Sequence, residues 1–101
     1  MISKNDRQFA LKEYQEWGEK LRIPRDVRIA QLLPHLQEGE IQEIMIECSS
    51  VEAFSWEIAE AVRDGGLPQD EAQMKIKGRF PFVSEENLTR TFSQAMYYTL
   101  K

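Results

Sequence analysis

The chain has 101 residues, 42% hydrophobic and 30% charged, which is the size and usage of one ordinary globular domain rather than of a disordered segment. No apolar run approaches the ~20 residues that span a bilayer; the opening MISKNDRQFALKEY has no apolar signal core, and the single cysteine, Cys48, allows no internal disulfide, so a cytoplasmic protein is expected. The net charge of −4 is uneven: residues 36–72 carry 10 acidic side chains against one basic, between mildly basic ends.

Ser3 to Leu21 reads as a first helix, with Ser3 and Asp6 able to cap its start. Ala10, Tyr14, Trp17 and Leu21 share a stripe flanked by Phe9 and Leu11. Ile23-Pro24 breaks the chain, because the residue before proline avoids the helical region. A second helix begins at Pro24 or Arg25, buries Ile29, Leu32, Leu33 and Leu36, and stops or kinks near Leu33 where Pro34 removes a donor.

Gln37 to Gly39 reads as a turn. Ile41, Ile44, Met45 and Cys48 then follow helical spacing, while Ile44, Ile46 and Cys48 alternate as in a strand. A lone strand would have no pairing partner in this chain, which favours helix. Ser49 to Gly66 reads as the central helix, spanning about residues 50–64. Ser49 and Glu52 have capping-box spacing, Gly65 and Gly66 can turn left-handed, and Val51, Phe54, Ile58, Ala61 and Val62 form its core stripe. A short helix, Gln69 to Lys77, points Ala72 and Ile76 inward and Met74 outward. Phe80-Pro81-Phe82 folds back as a plug. Ser84 caps a last helix with Leu88, Phe92, Ala95, Met96 and Thr99 buried. The expectation is an all-α single domain, residues 1–101, of five or six short helices around the central one.

Chemistry-bearing residues are few. His35, beside Pro34, lacks any partner placed by a motif, and Cys48 ends an apolar stripe in acidic surroundings that would raise a thiol pKa. One histidine and one cysteine make no structural zinc site, and no Glu-x-x-His, calcium-loop or glycine-rich phosphate pattern is present. No catalytic residue, cofactor or metal is therefore assigned, and an enzyme is not expected. Phe80-Pro81 at a helix end is similar to the Phe-Pro start of the CUE-type ubiquitin-binding domain over the last third of the chain. The third helix of such a domain has no room before Lys101, so nothing is carried over from it.

Two features suggest a partner. Trp56 stands on the polar face of the central helix among Glu52, Glu60 and Arg63, and Tyr97 stands opposite the apolar stripe of the last helix, with Met96 and Tyr98 widening the patch. These residues, with the acidic faces of residues 38–64, predict a small non-enzymatic protein that docks on another protein or on its own copy, of accessory, inhibitor or immunity type such as bacteria or phages carry. The alternative is nucleic-acid binding through Arg22, Arg25 and Arg28 with Lys75, Lys77, Arg79 and Arg90.

Overall fold

The computed structural model describes residues 1–16 and 22–100, and all the regular structure in them is α-helical, in five helices without a strand. The chain divides into two units, Met1–Ser49 and Ser50–Lys101.

In the first unit, α1 (Lys4–Tyr14) opens on a full capping box. The Ser3 hydroxyl accepts from the Asp6 amide at 3.0 Å, and the Asp6 carboxylate accepts from the Ser3 amide at 3.0 Å. The helix ends at Tyr14, short of the Leu21 expected from the stripe. The Glu16 amide tightens the last turn onto the Glu13 carbonyl at 3.2 Å. Two arginines distant in sequence then take the last carbonyls: Arg25 Nε donates to Tyr14 at 2.8 Å and Arg28 Nη1 to Glu13 at 3.3 Å. Trp17 and Leu21 lie outside the described residues. Ala10, Leu11 and Tyr14 are buried, but Phe9 is exposed rather than flanking the core.

Helix α2 (Arg25–Leu32) starts behind Pro24 and stops at Leu33, as the two prolines dictate. It packs on α1 and buries Ile29 and Leu33. Leu32 is exposed, contrary to the expected stripe, because the line from Ile29 to Leu33 meets the core and Leu32 falls to its side.

Helix α3 (Glu38–Arg63) departs most from the expectation. The Glu40 carboxylate reaches back to the Gln37 amide at 2.9 Å, half of a capping box. Residues 41–48 are helical, with Ile41, Ile44 and Cys48 buried, and the strand reading falls. The helix continues through Ser49, so the Ser49–Glu52 capping box does not form and Cys48 lies mid-helix, not at an end. The reason is periodicity: buried positions 41, 44, 48, 51, 55 and 59 make one uninterrupted pattern near 3.6 residues per turn, and a local capping signal yields to it.

In the second unit, the last part of α3 buries Val51, Ser55 and Ala59, while Phe54, Ile58, Ala61 and Val62 are half-buried. The core-facing line thus lies to one side of the predicted stripe. The helix closes as predicted. Gly65 adopts φ +80°, its amide donates to Val62 at 3.0 Å, and the Gly66 amide donates to Ala61 at 2.9 Å, the paired bonds of a Schellman motif.

Helix α4 (Gln69–Arg79) follows Pro68, and α5 (Glu85–Thr99) follows Ser84, whose hydroxyl accepts from the Asn87 amide at 3.2 Å. The two helices pack together through Ala72, Ile76, Leu88, Phe92 and Ala95, all buried; Met74 points out as expected. Between them Phe80 meets Phe54 edge-on at 5.9 Å, Phe82 meets Phe80 at 6.4 Å, and Val83 is wholly buried. Lys77 Nζ latches this corner by donating to the Pro81 carbonyl at 2.9 Å and to the Val83 carbonyl. No helix among the described residues is long and apolar enough to cross a membrane.

Candidate functional site

Trp56 and Tyr97, picked out in the sequence by their polar surroundings, both stand in solvent, at 44% and 51% exposure. The second unit places a third aromatic, Tyr98 at 41%, between them. The Trp56 and Tyr98 rings stack with centroids 5.7 Å apart and planes 14° from parallel, and Tyr97 stands edge-on to Tyr98 at 5.8 Å and 70°. Leu100, at the C-cap of α5, is also exposed. Sequence reasoning included Tyr98 only as a neighbour of Tyr97. Its stacking on a residue 42 positions earlier has no local signal.

The platform is held from below by Arg63. Its Nη1 donates to the Thr99 carbonyl at 2.9 Å, which ties the end of α3 to the end of α5, while Thr99 Oγ1 donates to the Met96 carbonyl at 2.9 Å. The same guanidinium lies 3.1 Å from Asp64 and 3.7 Å from Glu60; Asp64 above all raises its pKa beyond the usual arginine value. Arg63 therefore acts as an internal brace. Glu52 and Glu60 sit one helical turn on either side of Trp56, both half-exposed, and Glu57 is exposed beside it. The last turn of α5 contains no basic residue of its own, and Arg63 supplies the cation at its negative end.

The acidic face in the first unit is partly compensated. Glu47 pairs with Arg7, and Glu40 with the Met1 amine at 2.6 Å; the Gln37 amide, then that amine, hold the Glu40 carboxyl below its ordinary pKa. Glu38 and Glu43 are exposed. His35 Nε2 lies 3.0 Å from Asp6 Oδ1, so the one histidine packs against the α1 cap. Cys48 is buried, and no group of three His, Cys, Asp or Glu among the described residues could hold a metal.

The basic residues of the alternative reading are divided between the two units, and most have partners within their own unit. Arg28 is buried, and Arg25 caps Tyr14 while lying 4.5 Å over its ring. Lys77 holds the α4–α5 corner, and Arg79 lies 5.0 Å from the Phe54 ring centre. Arg90 donates to the Asn87 side chain. Arg22 and Lys75 are exposed, one in each unit.

One open groove of about 960 Å³ runs along α4 and the start of α5, past Met74, Lys77, Pro81 and Leu88. Its amine is engaged by carbonyls, and it brings together no hydroxyl or thiol with a base. Comparison with protein-family models, with curated proteins and with solved structures finds no match to this chain.

Proposed function

We propose that the protein is a non-enzymatic binding protein that docks on another protein through Trp56, Tyr98 and Tyr97 and the acidic helical surface around them. The observation that carries this is the stacked Trp56–Tyr98 pair, with each residue more than 40% exposed. Single exposed apolar side chains are normal on any surface. Three contiguous exposed aromatics, in ring contact with one another, have the composition of an interface centre. A tight partner would also raise the stability of the fold by mass action.

The reading is tested by using wild-type protein, Trp56→Ala and Tyr98→Ala as baits in host extract, after thermal melts show that the variants fold. A protein retained by wild type and lost with both variants is then purified, and amide exchange is followed in the reconstituted pair. Protection at residues 52–60 and 94–100 supports the reading. Equal retention by all three baits, or protection elsewhere, overturns it.

A further inference from the structure

Resting on the docking reading above, we infer that the partner's contact surface is basic and that one of its arginines stacks on Trp56 between Glu52 and Glu60. Each part of the platform favours positive charge. Aromatic ring faces are electronegative, indole most of all, and hold a guanidinium by cation–π attraction. Residues 50–64 carry Glu52, Glu57, Glu60 and Asp64 against Arg63, which pairs with Asp64 and Glu60, so the segment keeps a net charge of −3.

The same facts weigh against the other occupants. A nucleic acid would bring phosphates against a segment of net charge −3. A second copy docking symmetrically would set those carboxylates against their own duplicates, which is unfavourable across a two-fold axis. Arginine fits better than lysine because its planar, weakly hydrated cation can lie flat on indole while its N–H fork meets a carboxylate. The protein itself uses this pairing inside its fold, with Arg25 over Tyr14 at 4.5 Å and Arg79 over Phe54 at 5.0 Å.

The test uses the full chain with Trp17→Phe, which leaves Trp56 as the one indole, and follows its emission. Titrants are short glycine peptides bearing arginine, lysine or glutamate, and a single-stranded oligonucleotide. The arginine peptide is expected to saturate the signal with affinity about tenfold above the lysine peptide and to weaken with salt. Glu52→Gln with Glu60→Gln is expected to lower that affinity several-fold, and Trp56→Leu, read by calorimetry, to abolish it. Trp56→Phe, which keeps a ring against Tyr98, separates loss of the cation site from loss of fold and should retain weak binding. Equal affinity for lysine and arginine, or tighter binding of the glutamate peptide or the oligonucleotide, overturns the inference. So does concentration-dependent dimerisation in sedimentation that Trp56→Leu removes. If the baits show partner capture that depends on Trp56 but the arginine peptide neither binds nor competes, the cation site fails while the docking reading stands. If capture ignores Trp56, the docking reading itself fails.

Discussion

Alanine at Ser49 changes stability in opposite directions according to where the side chain stands in its helix. At an N-cap, Ser→Ala removes an acceptor from an unpaired amide and costs ~1 kcal/mol. Inside a helix, at an exposed position, the same change is favourable by up to ~0.5 kcal/mol through intrinsic propensity. Ser49 is exposed and lies within α3, which runs Glu38–Arg63, so Ser49→Ala is expected to stabilise slightly. Proline widens the contrast. At an N-cap it would be accommodated, as Pro24 and Pro68 are here at the starts of α2 and α4. Within α3 it removes the amide that pairs with the Met45 carbonyl, crowds that carbonyl, and pushes Cys48 out of the helical region, for ~3 kcal/mol or more. With 1 kcal/mol worth about 4–8 °C in a domain this size, Ser49→Pro should lower the melting temperature by about 12–24 °C. Far-UV circular dichroism melts and urea titrations of the three proteins decide the matter. A destabilised Ser49→Ala together with a Ser49→Pro protein within 1 kcal/mol of wild type would refute the continuous helix.

The two glycines flanking and within the α3–α4 region separate in the same way: Gly65→Ala forces a side chain onto φ +80° and should cost about 1–2 kcal/mol, whereas Gly78→Ala meets open space inside α4 and should gain up to ~1 kcal/mol, both read from urea midpoints. Asp6→Ala removes the acceptor of the Ser3 amide and the partner of His35, and should destabilise by about 1–2 kcal/mol near neutrality. The Ser3 amide first, and His35 second, hold the Asp6 carboxyl below its ordinary value, so its ionic contribution is present above the ordinary carboxylate range and is lost as pH falls through the lowered value; the gap between wild type and Asp6→Ala in urea titrations should therefore narrow on acidification, and a gap that widened would contradict the assignment.

Much of the fold was legible wherever the signal was local. Pro24, Pro68 and Ser84 announce the starts of α2, α4 and α5, and Gly65-Gly66 the end of α3, because each acts within a turn of itself. The failures are places where distant residues decide. The stripe through Trp17 and Leu21 gives no hint that Arg25 and Arg28 reach back to the carbonyls of Tyr14 and Glu13 and end α1 there. Ser49 and Glu52 have the spacing of a cap, but a cap forms only where the preceding chain leaves the helix, and buried Ile41, Ile44 and Cys48 keep it helical. At the site, exposure of Trp56 and Tyr97 followed from helical angle, whereas the stacking of Trp56 on Tyr98 and the engagement of Arg63 by Thr99 depend on packing between helices.

Lys77 carries a chemical consequence of its own. An amine held by the carbonyls of Pro81 and Val83 must swing away from both before it can meet an acylating reagent, while Lys75, two residues away on the outside of α4, stands exposed. The ratio of label on the two lysines is thus a footprint of the bend between α4 and α5, readable by mass spectrometry without any substitution.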